Sequence, residues 1–154
     1  MAFECKPVAN GQAEMLLPIL HDAEEDDARI QATLLDPACV AYAAYADSIL
    51  VGAAVVYWEE GEASEILYIA VSAQERGKGY GKQIMAALRD ELPAHGRALL
   101  VGTANSSLEN ILFYQRCGFR MFEVRRDYFA YIEPPLQERG IVMRDMLVLR
   151  YDLA

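Results

Sequence analysis

The stretch best equipped for chemistry is Ile69-Ala-Val-Ser-Ala-Gln74-Glu-Arg76-Gly77-Lys78-Gly79-Tyr80-Gly81-Lys82, which reads as a strand passing through a glycine-rich turn into a helix. Glycines at positions 77, 79 and 81 let successive backbone N–H groups converge, and a helix start adds the positive end of its dipole. The product is a cradle for an anion. Two phosphate motifs fail on spacing. Walker A requires G-x-x-x-x-G-K followed by Ser or Thr, whereas here three residues separate Gly77 from Gly81 and Gln83 follows Lys82. The dinucleotide fingerprint requires G-x-G-x-x-G with an acid about 20 residues on, whereas the spacing here is G-x-G-x-G and Val101 stands at that distance. A nucleotide hydrolase and a dinucleotide dehydrogenase are therefore set aside. Cys5, Cys39 and Cys117 lie far apart without C-x-x-C spacing, which suits reduced thiols. His21 and His95 are isolated from each other and from the cysteines, so no metal site is expected.

Hydrophobic periodicity and turn signals outline the scaffold for these residues. Phe3–Val8 reads as a short edge strand, marked by Pro7. Residues 11–24 place Met15, Leu16, Ile19 and Leu20 on a helical stripe in spite of Pro18, and a second helix is predicted over residues 28–35, ending at Asp36-Pro37. Between them, residues 22–27 hold five acids in six positions, as a solvated cap or loop does. Residues 40–46 and 49–58 flank Asp47-Ser48 as a hairpin, and Glu59-Glu60-Gly61-Glu62 leads into a strand over residues 65–71. Alternation in that strand sets Glu65, Leu67 and Ile69 on one face and Ile66, Tyr68 and Ala70 on the other. Residues 79–91 are helical, with Pro93 just beyond, and residues 97–103 contain a buried-looking strand. Ser106 as N-cap and Glu109 three residues later form a capping box for a helix that runs to about Arg116 and stops at Cys117-Gly118. Strands over residues 119–124 and 143–151, separated by a long segment with two prolines, close the chain. The middle strands meander, so the class is mixed α/β and not doubly wound.

With 154 residues, 54% hydrophobic and 24% charged, the chain is expected to form a single domain over residues 1–154, and disordered, collagen-like and disulfide-scaffold classes are excluded. A net charge of −9 argues against a partner bound through phosphate neutralisation, so no nucleic acid is expected. No apolar run approaches the ~20 residues of a membrane span, and the start lacks a basic stretch followed by an apolar one; the expectation is a cytoplasmic chain without a membrane partner. Charge is uneven: residues 1–77 carry 14 acids and 3 bases, residues 78–154 carry 9 acids and 11 bases. Either the two halves face different ligands, or this is the ordinary acidity of a cytosolic protein.

Two motifs carry a family resemblance. Gln74-Glu-Arg-Gly77-Lys-Gly79 resembles the signature of the GNAT superfamily of acetyl-CoA-dependent N-acetyltransferases: glutamine or arginine, two residues, glycine, one residue, then glycine or alanine. Phe113-Tyr114-Gln-Arg-Cys-Gly118-Phe119 is similar to that superfamily's later F-Y-x-x-x-G-F element, and the two occur in the family's order. The match covers residues 3–151 and is most specific over residues 65–120. Arg126-Asp-Tyr-Phe and the run from Gly140 to Leu149 resemble a subset of small bacterial GNAT proteins. The resemblance implies a mixed, mostly antiparallel sheet of about seven strands flanked by about four helices, splayed between the strands ending near Val71 and Thr103. The pantetheine arm of the cofactor, acetyl-CoA, fills that gap.

The same resemblance implies site roles. Ile69, Ala70 and Val71 bind cofactor, the backbones of Ile69 and Val71 pairing with the arm. Gln74 belongs to the signature, and the amides of Arg76, Gly77, Lys78, Gly79, Tyr80 and Gly81 hold the pyrophosphate. Lys78 and Lys82 either add charge near the phosphates or simply lie exposed. Acetyl transfer to an amine needs a neutral nucleophile, a stabilised oxyanion and a proton for the departing thiolate. Tyr114 matches the family's tyrosine acid, a phenol protonated at neutral pH, or packs as an aromatic beside Phe113 and Phe119. Glu65 is placed like the glutamate base of some members, or lies at an exposed strand entrance. Asn105 is nine residues before Tyr114 where seven is more usual, and Asn110 is four before it; either contacts the cofactor, caps or packs. Cys117, at a helix C-terminus that disfavours thiolate, makes a covalent route inferior to direct transfer. The family's acceptor walls map to residues 22–27 and to residues 125–133, where Tyr128, Phe129 and Tyr131 line a pocket or pack the segment down. The acceptor is then a small-molecule or peptide amine, cationic if the acidic first half attracts it. An acyl-CoA-binding regulatory module without turnover stays as the alternative, and a homodimer stays open.

Overall fold

The computed structural model describes residues 2–24 and 26–153. Glu25, one of the five clustered acids, lies outside the described residues. Two compact units are present, Met1–Arg97 and Ala98–Ala154.

The first unit runs β1 (Phe3–Val8), a 3-10 segment Asn10–Leu16, α1 (Leu17–Leu20), α2 (Asp27–Leu35), β2 (Cys39–Ala46), β3 (Ile49–Tyr57), β4 (Ala63–Val71) and α3 (Tyr80–Glu91). β1 to β4 pair antiparallel in chain order. Asp47 and Ser48, at φ 49° and 69°, form the two-residue turn whose twist suits a hairpin, and the Asp47 carboxylate accepts the Ala2 amide at 2.9 Å. The expected first helix is broken up. Pro18 has no N–H and its ring crowds the carbonyl four residues back, so α geometry starts only at Leu17, with Pro18 in the first turn. The turn geometry also exposes Met15, while Leu16 and Leu20 stay buried.

Leu16, Leu20, Ile30 and Leu34 pack on Ala41, Ala43, Ala53 and Val55, whose small side chains let the helices approach one face of the strands. α3 covers the other face with Ile84, Met85 and Leu88. It comes so close that a Cβ on Gly52 would sit 2.7 Å from Ile84 Cδ1 and 2.9 Å from the Ala70 carbonyl oxygen. β4 does not alternate as expected. Val55 pairs with Tyr68 and Val56 with Ile66, so Leu67 is an extra residue, a bulge that turns Tyr68 and Ala70 to the α1–α2 face with Glu65 and Leu67. Ile69 shares the α3 face with Ile66 instead.

The second unit contains β5 (Ala98–Ala104), α4 (Leu108–Arg116), β6 (Arg120–Arg125), β7 (Gln137–Glu138), β8 (Ile141–Val142) and β9 (Met146–Asp152). β9 pairs antiparallel with both β5 and β6. The predicted capping box is not formed: α4 starts at Leu108 after Ser107, and no side chain caps it. The Ser106 and Ser107 hydroxyls instead donate to the Glu138 carboxylate, each at 2.9 Å, and Glu109 pairs with Arg139. The predicted stop is confirmed. The Phe119 amide donates to the Tyr114 carbonyl and the Gly118 amide to that of Gln115, both at 3.0 Å, with Gly118 at φ 95°. β7 and β8, which the proline-rich segment did not reveal, form a ribbon turned by Arg139 and Gly140 at φ 53° and 79°. Among the described residues, seven main strands, four in the first unit and three in the second, and four α-helices make a mixed, largely antiparallel α/β fold, as expected.

Candidate functional site

The glycine turn is built where β4 meets α3. The Ser72 amide donates to the Val51 carbonyl at 2.8 Å and the Glu75 amide to the Ser72 carbonyl at 2.9 Å, which folds the chain away from the strand. Gly77 and Gly79 then take φ of 80° and 84°. A Cβ on either would meet nothing within 4 Å, so these positions need glycine for the backbone conformation alone, and the outside of the turn is open. Gly79 is the N-cap of α3 and no side chain caps it. The first-turn amides of a helix have no intrahelical acceptors, so this start presents donors and a positive dipole end to the open turn. That is the donor set a diphosphate requires.

The charged and polar side chains of the turn bond within it or to its neighbours. Lys78 pairs with Glu75 at 2.7 Å, and that bond raises the lysine pKa above its ordinary value. The Ser72 hydroxyl donates to Gln74 at 2.8 Å. Arg76 Nε donates to the Val71 carbonyl at 3.3 Å, and its guanidinium pairs with Asp22. Lys82 is exposed, and Tyr80 is buried with its ring stacked on Phe3. Ile69, Ala70 and Val71 lie opposite Ala54, Ala53 and Gly52 at the end of β4, and Ala70 is the buried one of the three. Glu65 is half-buried, the third residue of β4, opposite Tyr57. The first unit thus gathers Glu65 and the whole run from Ile69 to Lys82 that the sequence proposed for the cofactor.

Tyr114, Asn105 and Asn110 belong to the second unit. Tyr114 sits in the last turn of α4, buried in an aromatic cluster with Phe113 at 5.4 Å and Phe119 at 6.1 Å between ring centres; Phe119 in turn meets Tyr151 at 5.7 Å. Burial pushes its phenol well above the usual tyrosine range, and the neighbouring Cys117 adds to the shift, so the hydroxyl keeps its proton at neutral pH. Asn105 is a clasp. Its Nδ2 donates to the Val142 carbonyl at 3.0 Å, and its Oδ1 accepts the amides of Arg144 and Asp145, both at 2.9 Å. Asn110 reaches back from α4 to Thr103 Oγ1 at 3.3 Å.

The segment held by that clasp encloses a cleft of about 180 Å³ whose walls include Phe129, Ile132, Val142 and Met143, with Asp127, Glu133 and Arg144 supplying charge. Phe129 therefore lines a pocket, as the sequence allowed, whereas Tyr128 meets Phe129 edge-on at 5.0 Å and is not part of the lining. Sequence reasoning missed the clasp, since hydrogen bonds to main chain 37 to 40 residues away leave no mark in local spacing. The acids after α1 are engaged locally: Asp26 caps α2 by accepting the Ala28 amide at 3.0 Å, Asp27 pairs with His21, and Glu24 accepts the Asp26 amide at 3.2 Å. All three cysteines are free thiols, and burial raises those of Cys5 and Cys39. Among the described residues, no helix is long and apolar enough to cross a membrane.

Residues 8–119 match the model of the Acetyltransferase (GNAT) family. The chain is 34% identical over 114 residues to the uncharacterised N-acetyltransferase YvbK of Bacillus subtilis strain 168, covering 73% of this chain and 74% of that protein. Among solved structures it is similar to a GNAT family acetyltransferase from Elizabethkingia anophelis with acetyl-CoA bound, at 27% identity and a TM-score of 0.89 over 98% of each chain. It is also similar to a Bacillus subtilis acetyltransferase in complex with CoA, at 28% identity and a TM-score of 0.88, covering 99% of this chain and all of that one.

Proposed function

This chain belongs to the acetyltransferase (GNAT) family, and we propose that it moves the acetyl group of acetyl-CoA to a primary amine of a small molecule or peptide by direct attack in a ternary complex. The observation that carries the reading is the open turn through Gly77 and Gly79 into the uncapped start of α3, a main-chain donor set that suits the diphosphate of CoA. When bound, acetyl-CoA supplies a thioester carbonyl activated toward attack. The amides of residues 76–81 hold the phosphates, with Lys82 adding charge, and the backbones of Ile69 and Val71 pair with the pantetheine arm. Tyr114, whose phenol carries its proton at neutral pH, donates that proton to the departing sulfur. Glu65 takes the proton from the attacking amine, directly or through water. Of the two asparagines, Asn110 is the one left to meet the cofactor, because both ends of the Asn105 amide hold the loop.

The cleft beside Asp127 and Glu133 receives the body of the acceptor, its apolar walls taking carbon chain and its carboxylates favouring a cationic amine. The two units act together as one acetyltransferase domain. The test is CoA release from acetyl-CoA across a panel of polyamines, amino acids, aminoglycosides and peptide N-termini. Turnover with one class, abolished or strongly slowed in Tyr114→Phe, is expected. CoA binding without release for any amine would contradict transfer and favour a regulatory acyl-CoA module.

A further inference from the structure

Arg76 is the cation whose charge leaves the glycine turn. Lys78 is held inside the turn by Glu75 at 2.7 Å, and Ser72 and Gln74 bond each other at 2.8 Å. The Arg76 side chain runs back across the end of β4, where its Nε bonds the Val71 carbonyl at 3.3 Å, and its terminal nitrogen pairs with Asp22 in the loop after α1. This route carries the guanidinium to the loop that follows α1. A guanidinium so occupied does not itself reach for a phosphate. It closes a loop of six residues, from Val71 to Arg76, immediately before two glycines whose φ angles are both near +80°. Glycine-rich main chain is the most mobile kind, and a ligand that binds through such amides loses affinity for every conformation it has to suppress.

We propose that Asp22 is a positioning residue for the cofactor turn: by holding Arg76 against Val71 it keeps residues 71–79 in the form that receives a diphosphate, without touching the ligand. The proposal rests on the reading of that turn as the CoA site. Side chains of Asp22 and Arg76 are 48% and 53% exposed, and an exposed pair contributes little to global folding, so its removal leaves the fold intact and the effect is read in binding. The arrangement also ties the acidic loop to the turn, so that loop and cofactor site are ordered together.

The experiment is calorimetric titration of CoA into the wild type, Asp22→Asn, Asp22→Glu, and the exchange of Asp22→Arg with Arg76→Asp, each with its melting temperature. Asp22→Asn is expected to weaken CoA binding about five-fold through a less favourable entropy, with a melting temperature within about 2 °C of wild type. Asp22→Glu, which keeps the charge, recovers most of the affinity, and the exchanged pair recovers part. Unchanged affinity in Asp22→Asn overturns the proposal while leaving the CoA site standing. Tighter binding overturns it too, since Asp22 would then compete with the ligand for Arg76. A loss of affinity that Asp22→Glu fails to recover, or that follows a fall in melting temperature, reduces Asp22 to a structural residue and overturns it. No heat from the wild type removes the CoA site and this proposal with it.

Discussion

The state of the Tyr114 phenol is set by where α4 ends. Three residues beyond it the helix stops at Cys117, and Phe119 folds back against its ring, so the phenol lies among aromatic carbon and ionises far less readily than in water. Tyr114→Phe is expected to bind CoA within about two-fold of wild type while turnover falls about a hundred-fold, the usual loss when a general acid is removed. Equal turnover in single-turnover assays would exclude the role. A second outcome concerns alkaline stability. Burial raises the Cys5 thiol from 9.0 to about 11 and pushes the Tyr42 and Tyr114 phenols upward as well. In each case the folded chain holds the proton more tightly than the unfolded one, so the stabilisation is complete below the unfolded pKa and is lost as pH rises through the folded one. The urea midpoint should therefore stay level up to pH 9 and fall between pH 9 and about 11, and Cys5→Ser should flatten the first part of that fall. A midpoint that climbs over this range would contradict the assignment.

At the scale of elements, the approach of α3 to β3 sets the position of the cradle. Gly52→Ala puts a methyl group 2.7 Å from Ile84 Cδ1 and 2.9 Å from the Ala70 carbonyl, so a loss of roughly 1–3 kcal/mol is expected, seen as a melting temperature lower by several degrees. An unchanged melting temperature would show that the helix can move away freely. The elements that were legible in the sequence are those set by local chemistry. Asp47-Ser48 made its hairpin because both residues accept a left-handed turn, and Gly118 ended α4 for the same reason. The glycine turn was equally plain. Illegible features depend on partners far along the chain: Ser106 and Ser107 abandon the expected cap because Glu138 competes for their hydroxyls, and Asn105 serves the loop around Val142. The bulge at Leu67 escaped because a period of two carries no sign of where a ladder slips, and it moved Ile69 to the opposite face from Glu65. The ribbon of β7 and β8 escaped because each strand has only two residues.

For the molecule as a whole, the net charge of −9 is concentrated in the first half, which carries 14 acids against 3 bases over residues 1–77. Asp22, Asp26 and Asp27 are engaged locally, and their long-range field remains. A cationic acceptor should show kcat/KM falling as salt rises, and Asp26→Asn, which keeps a capping oxygen while removing charge, should weaken that dependence. Kinetics indifferent to salt would rule out steering. The fold class and the glycine turn are thus consequences of short-range pattern, while the cleft lined by Phe129 and Met143 is a product of long-range assembly. The most direct test of the cofactor site is titration of CoA into isotopically labelled protein with observation of the backbone amides by NMR. The largest shifts are predicted at Gly77, Gly79, Gly81 and their neighbours between residues 76 and 82; saturation by CoA with those amides unmoved would contradict the account.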